Sequence, residues 1–386
     1  MKIAFVVHDF RRREGHSRYV VELATRFARE HEVHVFADKI EPEPNSNIRF
    51  HHVPAWRSSA LGSILTFAVQ ATLRVRGKFD IIHNQGLCGW RGNVYTAHIS
   101  NRAWHRALGR AHSQLTLKER ISGPTLAFLE HLFYRFARNC QIIAVSRRVA
   151  GDLQSLYHCT APISVIYHGV DLETFTPAHE NPLRSMVRAQ WGLHPDEMAF
   201  LFVGDMRKGA RQCVQALAQL PTGKLLFVSR SAIQPYQALV RGLGLTERVR
   251  FAGTSSQVEQ FYAAADALLL PTHYDTFAMV VAEAMAAALP VIVSREAGAS
   301  ELIEPGVNGL LLEDFADAGE LAAKMRLLSE DRDLAARIGL AARQTVEGHS
   351  WDNVAAQTML IYERLLSSDQ LTHRPAKPSL PPARMT

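Results

Sequence analysis

The sequence predicts an α/β protein made of two doubly wound parallel-sheet domains. Three observations lead there. The chain has 386 residues, too many for one ordinary core, so two domains are expected. Short apolar runs of strand length alternate with longer helical patterns, which implies parallel strands with helices on both faces. The alternation then restarts after residues 168–177, where Gly169 and Pro177 punctuate the chain.

In the first half, strands are expected at Lys2–Val7, Glu32–Phe36, Ile48–His52, Asp80–His83, Val94–Ala97, Gln141–Val145 and Ser164–Tyr167. Helical patterns cover Ser17–Arg29 and Thr116–Arg138. In the second half, strands are expected at Ala199–Val203, Leu225–Val228, Val249–Phe251, Ala267–Leu270 and Pro290–Val293. Helices over Arg211–Leu220, Gln257–Ala265 and Phe277–Ala287 separate them. Residues 1–170 are therefore expected to form the first domain and 171–349 the second. Residues 176–195 carry three prolines and read as a linker or surface excursion. Residues 350–366 have helical periodicity and are expected to pack back on the first domain; 367–386 are Pro-rich, polar and expected to be disordered.

Composition narrows the class. Apolar residues make up 47% and charged residues 21%, which is that of a folded globular protein. The 43 Lys+Arg against 37 Asp+Glu leave a formal net charge of +6, favouring anionic partners: nucleotides, phosphorylated substrates or an acidic membrane surface. The basic residues are dispersed and form no nucleic-acid module, so no nucleic-acid partner is expected. Cys88, Cys140, Cys159 and Cys213 lack metal-ligand spacing, which argues against zinc or a disulfide framework and fits a reducing compartment. The N-terminal apolar run is too short for a signal peptide. Thr276 to Val293 is nearly all apolar, but Glu283 and Pro290 interrupt it, so a buried helix and strand are expected there rather than a membrane span. A cytoplasmic protein is expected.

Three segments carry chemistry. The first strand leads through His8-Asp9-Phe10 and Arg11-Arg12-Arg13-Glu14 to Gly15, where a strand-to-helix turn lets backbone amides approach an anion. Ser17 is the expected N-cap. The second segment is Gly204-Asp205-Met206-Arg207-Lys208-Gly209, between a strand and a helix. Ligands bind at that sheet edge, and Arg207 and Lys208 suit phosphate. The third runs from Pro271 to Met285. Asp275 or Thr276 would cap its helix, leaving the amides of Phe277, Ala278, Met279 and Val280 facing a ligand. Glu283 falls about two turns into that apolar helix, where an unpartnered carboxylate is expensive. Two readings stand: an ion pair with an Arg of the next element, or bonds to ligand hydroxyls.

Together these residues resemble the family-4 retaining glycosyltransferases of the GT-B fold, in which two Rossmann-like domains face a central cleft. The resemblance covers the chain from the first strand to about Leu366. Its most specific element is an acidic-x7-Glu motif, here Asp275 to Glu283. The resemblance implies that Glu283 holds the donor ribose, that Asp275 contacts the donor sugar, and that amides at Ala278, Met279 and Val280 hold the distal phosphate. It assigns the pyrophosphate grip to Lys208, with Arg207 as partner. Gly204 to Gly209, with Ala216-Leu217-Ala218-Gln219-Leu220-Pro221 after it, looks most like the lipopolysaccharide-core glucosyltransferases. Val94 to His98 matches the first-domain loop facing the transferring sugar, which places His98 in the cleft. The usual Asn-Gly-Val-Asp interdomain signature reads His168-Gly169-Val170-Asp171. The usual Gly-Gly turn is Glu14-Gly15, the first glutamate of the motif is Asp275, the glycine after Phe is Ala278, and an expected Arg is Asp205.

The implied reaction is front-face transfer of a hexose from a nucleotide-diphosphate sugar, most simply a UDP-sugar, to a saccharide or glycolipid hydroxyl. Positioning and charge stabilisation are its catalytic means. No Asp-x-Asp motif stands at a strand end, so no metal and no cofactor are expected. His98, Asp275, Arg207 and Lys208 would be the catalytic groups. Arg11, Arg12, Arg13, Arg102, Arg106 and Arg110 are candidates for a phosphorylated or lipid-linked acceptor, or, with Trp104, for an anionic membrane surface. The alternatives are a nucleotide-sugar epimerase or phosphorylase on the same fold, and a non-catalytic nucleotide-sugar-binding protein.

Overall fold

A computed structural model describes residues 1–12, 15–43, 46–57, 59–110 and 117–372. The strands are β1 Lys2–Val6, β2 Asp9–Phe10, β3 Glu32–Ala37, β4 Lys39–Ile40, β5 Ile48–His52, β6 Ile81–Gln85, β7 Val94–Ala97, β8 Gln141–Ala144, β9 Ile163–Val165, β10 Ala199–Val203, β11 Lys224–Val228, β12 Val249–Gly253, β13 Ala267–Leu270, β14 Val291–Ser294 and β15 Leu310–Leu312. The helices are α1 Gly15–Phe27, α2 Ala60–Arg74, α3 Asn101–Arg110, α4 Leu117–Phe136, α5 Arg147–Tyr157, α6 Arg184–Gln190, α7 Ala210–Leu217, α8 Gln234–Gly242, α9 Glu259–Ala264, α10 Met279–Ala286, α11 Ala318–Glu330, α12 Arg332–Glu347 and α13 Trp351–Thr372.

Two parallel sheets organise the chain, in the orders β5-β3-β1-β6-β7-β8-β9 and β12-β11-β10-β13-β14-β15. Strands β10 and β13, and β1 after Lys2, are apolar on both faces because helices cover both; Ile3, Ala4, Phe5, Leu268 and Leu269 are fully buried. Strand order reverses between β1 and β6 in the first sheet and between β10 and β13 in the second. At such switch points the loops leave in opposite directions and open a crevice. The loops that follow β10 and β13 are the two segments of the second half singled out from the sequence. These are two Rossmann-like domains, the GT-B arrangement expected.

The chain crosses between the sheets twice, and the crossings lie side by side. Val170 N donates to His349 O at 3.0 Å, and Val170 bridges Ser350. Gly169 is required there, since a Cβ would sit 2.9 Å from Trp351 Cα. Beyond the second crossing, α13 contributes Trp351, Val354, Ile361 and Tyr362 to the first domain's core. Tyr362 Oη and Thr96 Oγ1 lie 2.6 Å from the two ring nitrogens of buried His83.

Three expectations are corrected. Residues 176–195 contain α6, and Arg188 on it is buried because its guanidinium donates to the carbonyls of Ala264 (2.8 Å), His194 (2.6 Å) and Glu197 (2.6 Å) and pairs with Asp266. The final helix runs on to Thr372, past the expected start of the tail at residue 367; residues 373–386 lie outside those described. Ser17 is not an N-cap. It lies inside α1 and ties down the loop before it, donating to Asp9 O at 2.5 Å and accepting from Arg11 N at 2.7 Å.

Candidate active site

The loop after β10 is set by two glycines. Gly204 has φ +125° and Gly209 φ +109°, both in the left-handed region. Between them Asp205 caps a single 3-10 turn, accepting from Arg207 N at 2.9 Å. A Cβ on Gly209 would lie 2.7 Å from Pro271 Cγ and closer still to the Pro271 carbonyl. Glycine thus lets the loops of β10 and β13 touch at the switch point. Gly209→Ala is expected to destabilise the protein by about 3 kcal/mol, from strain plus overpacking, as read by urea unfolding.

That contact brings the phosphate-type cation to the acidic motif. Lys208 Nζ lies 2.6 Å from Asp275 Oδ2. Arg207 pairs with Asp205 at 2.8 Å and lies 5.8 Å over the Trp104 ring. Asp275 Oδ1 accepts from Phe277 N at 3.2 Å, but helix α10 starts later than expected, at Met279. Its N-cap is Ala278, which adopts φ +72° where the resembling family has glycine. The first amides of α10 point out of the helix toward the cleft by its own geometry.

Across the cleft stands the start of α1. A Cβ on Gly15 would meet Met279 Sδ at 3.2 Å, so the N-termini of α1 and α10 converge. A helix N-terminus carries partial positive charge and Lys208 a full one, a combination chemically suited to an anion. One turn into α1, Arg18 Nη1 reaches Glu283 Oε1 at 3.2 Å. Tyr262 Oη donates to Glu283 Oε2 at 2.9 Å. Burial pushes the Glu283 carboxyl up; Arg18 and Tyr262 pull it back down. Glu283 is thus ion-paired, and its partner comes from the other domain rather than from the next element.

His98 completes the floor. Its Nε2 donates to Gln85 Oε1 at 2.7 Å, which leaves Nδ1 as a bare, buried acceptor without a partner among the described residues. His98 stacks on His168 at 5.4 Å, and His168 lies 5.3 Å from Phe277. The chain of contacts therefore joins Gly15, His98, Lys208, Asp275, Phe277, Met279 and Glu283 in one cleft.

The domains also hold each other beside it. Glu301 accepts from the first amides of α5, Arg147 N at 2.9 Å and Arg148 N at 2.8 Å. Ser146 Oγ donates to Thr276 O at 2.6 Å, and Tyr274 Oη to Asp152 at 2.7 Å.

Several of the candidate acceptor arginines have partners within the chain. Arg12 is taken by Glu22 (2.6 Å) and Glu43 (2.8 Å), and Arg11 faces Glu41 at 3.4 Å. Arg102 donates to Leu156 O at 2.6 Å. Arg106 is exposed; Arg13 and Glu14 lie outside the described residues, as does the side chain of Arg110. The Trp104 ring lies 5.2 Å from that of His273, in the second domain. Exposed apolar groups lie elsewhere on the first domain, at Phe128, Phe136 and Trp90, and Trp90 lines a 290 Å³ groove with Ile64, Leu65, Leu129 and Leu132 of α2 and α4. No helix among the described residues is long and apolar enough to cross a membrane. One described group, His8, Asp9 and Asp38, brings three residues of metal-ligating type together, but each already holds protein partners: Ser63, Lys39 and Arg57.

Residues 13–174 match the family model described as Glycosyltransferase Family 4, and residues 184–345 the one described as Glycosyl transferases group 1. The chain belongs to the GT-B-type glycosyltransferases. It is 28% identical to a D-inositol 3-phosphate glycosyltransferase of Xylanimonas cellulosilytica, over 90% of this chain and 91% of that protein. Among solved structures it resembles WaaG, a glycosyltransferase involved in lipopolysaccharide biosynthesis, with a TM-score of 0.77 at 21% identity over 93% of this chain and 99% of that one. It also resembles Anabaena HepE in complex with UDP-glucose, with a TM-score of 0.72 at 21% identity over 95% and 100%. These two likenesses are likenesses of fold.

The buried histidines should make the fold of this glycosyltransferase sensitive to acid. Burial pushes His83 and His168 down to about 3, and His98 well below its ordinary value. Each binds a proton when unfolded but not when folded, so its stabilising share is full above the unfolded pKa and is lost as pH falls below about 6.5. Buried Glu130, pushed up to about 7, works the other way and offsets one of them. Stability by urea unfolding is expected to fall by about 2 kcal/mol between about pH 6.5 and 5.5.

Proposed function

We propose that this enzyme is a retaining hexosyltransferase. It moves a hexose from a UDP-sugar to a hydroxyl of a saccharide or lipid-linked saccharide, in cell-surface polysaccharide or lipopolysaccharide synthesis. The observation that carries this is the start of α10, with the start of α1 against its Met279 and Lys208 held on Asp275 just before it. A diphosphate fits there, with its charge met by fixed dipoles and a lysine and without a divalent metal. Glu283 would hold the ribose. Asp275 and the bare His98 Nδ1 would accept from sugar hydroxyls. Arg207 would assist the phosphates. The nearest carboxylate to the transferring sugar, Asp275, is occupied by Lys208 and makes a poor nucleophile, which favours front-face attack with the departing phosphate taking the acceptor's proton. HepE, which shares this fold, is seen in complex with UDP-glucose, which makes UDP-glucose the donor to try first.

The test needs no acceptor. Donor hydrolysis by the purified enzyme is followed by proton NMR with UDP-glucose, before the freed sugar mutarotates. The α anomer appearing first supports retention; the β anomer overturns it.

A lipid-linked acceptor is the class favoured by charge and apolar surface together. Residues 1–170 hold 23 Lys+Arg against 12 Asp+Glu, and the exposed Trp90, Phe128 and Phe136 stand in that domain. Cosedimentation with anionic vesicles, weakened by Trp90→Asp with Phe136→Asp, is expected; equal binding by both proteins counts against a lipid surface.

A further inference from the structure

We propose that Arg18 is a positioning residue for the donor: it reaches across the cleft to hold the Glu283 carboxylate, so that the ribose subsite is complete only when the two domains are closed. This rests on Glu283 being the ribose ligand. Arg18 and Glu283 belong to opposite domains and are 265 positions apart, yet meet at 3.2 Å. Both side chains are largely shielded, at 17% and 10% exposure, so their attraction is weakly screened. A carboxylate has about four acceptor positions. Arg18 and Tyr262 occupy one on each oxygen, which leaves room for a ribose diol on the cleft side.

The alternative is that Arg18 blocks Glu283 and must leave before the nucleoside binds. The surroundings argue against ejection. Arg18 has Phe175 under its guanidinium at 6.0 Å and Glu22 at 3.9 Å, both of which hold it where it stands. Its charge also has a task in place. Helix α10 is apolar around Glu283, and Glu259 on α9 adds a second negative charge nearby. Burial and Glu259 push the carboxyl toward its neutral form, and Arg18 is the cation opposing them. A neutral carboxyl would offer a weaker acceptor to two hydroxyls. When the domains part, α1 withdraws Arg18, and the ribose ligand loses its counter-charge as well as its orientation. Closure and nucleoside affinity then become one equilibrium, and each strengthens the other.

The probes are UDP and 2′-deoxy-UDP, titrated calorimetrically on wild type, Arg18→Gln, Arg18→Lys and Glu283→Gln, each at about pH 6 and pH 8. Wild type should prefer UDP to the deoxy analogue. Arg18→Gln should lose most of that preference and bind UDP about tenfold more weakly, with the larger loss at the lower pH because burial pushes the carboxyl up and Arg18 no longer opposes it. The groups facing Glu283 that titrate or carry charge are Arg18, Tyr262 and Glu259, and only Arg18 changes in this variant; the titration of the phosphates is common to all four proteins. Arg18→Lys should restore the charge and much of the affinity. If Arg18→Gln matches wild type at both pH values while Glu283→Gln is weakened, Arg18 has no such role. Tighter UDP binding by Arg18→Gln would establish the blocking alternative instead. If Glu283→Gln also binds both nucleotides like wild type, the ribose assignment itself fails, and the role of Arg18 with it.

Discussion

Glu283→Ala is expected to weaken UDP binding by at least about 100-fold in a calorimetric titration, because two hydroxyl-to-carboxylate bonds at about 1.5–3 kcal/mol each are lost. The ribose is remote from the bond that breaks. Its contacts are equally present in ground and transition states, so KM should rise and kcat should fall much less. The substitution also leaves Arg18 without its partner across the cleft and Tyr262 without an acceptor. A stability loss of about 3 kcal/mol accompanies that. Glu283→Gln separates the two effects, since it keeps the shape and an acceptor oxygen while removing the charge. UDP binding by Glu283→Ala within about threefold of wild type would remove the ribose role, whatever happened to stability.

Glu283 could be found from sequence because it violates its surroundings. A carboxylate in an apolar helix must have a partner, and that requirement is visible in one dimension. The identity of the partner is not. Arg18 stands in an ordinary amphipathic helix, and its spacing from Gly15 is the only hint it offers. Which cation meets a buried acid is decided by how two domains dock, and that information is spread over Ser146, Glu301, Asp152 and Tyr274. The same limit hid α6. Arg188 looks like a solvated surface residue, yet backbone carbonyls left over at the ends of neighbouring segments consume its donors. Strand positions fared better because a strand buried on both faces must be apolar along its length, as β1 and β13 are. The left-handed Ala278 was marked only by the family's glycine, since alanine itself signals no positive φ.

Loss of Lys208 should act on the chemistry rather than on binding. Lys208→Ala is expected to lower kcat by about 10²–10³, the cost of removing one preorganised donor aimed at charge that develops in the transition state. The charge in question grows on the leaving diphosphate as the glycosidic bond opens. Lys208 is held 2.6 Å from Asp275 by a turn that Gly204 and Gly209 fix. Little reorganisation is then needed when the phosphates arrive, which is why the effect should fall on kcat more than on KM. Removing the lysine also leaves Asp275 as an uncompensated negative charge beside the diphosphate. Because Asp275 accepts from the sugar in the proposed reading, Lys208→Ala combined with Asp275→Asn should be slower than Lys208→Ala alone; a faster double variant would mean that Asp275 acts only through its charge. Arg207 makes the contrast. Its guanidinium is paired with Asp205 and spread over Trp104, so less of its charge reaches the cleft. Arg207→Ala should cost about tenfold or less in kcat. Equal losses at the two positions would mean that the diphosphate draws Arg207 away from Asp205 on binding, and the loop after β10 would have to rearrange as the domains close around the donor.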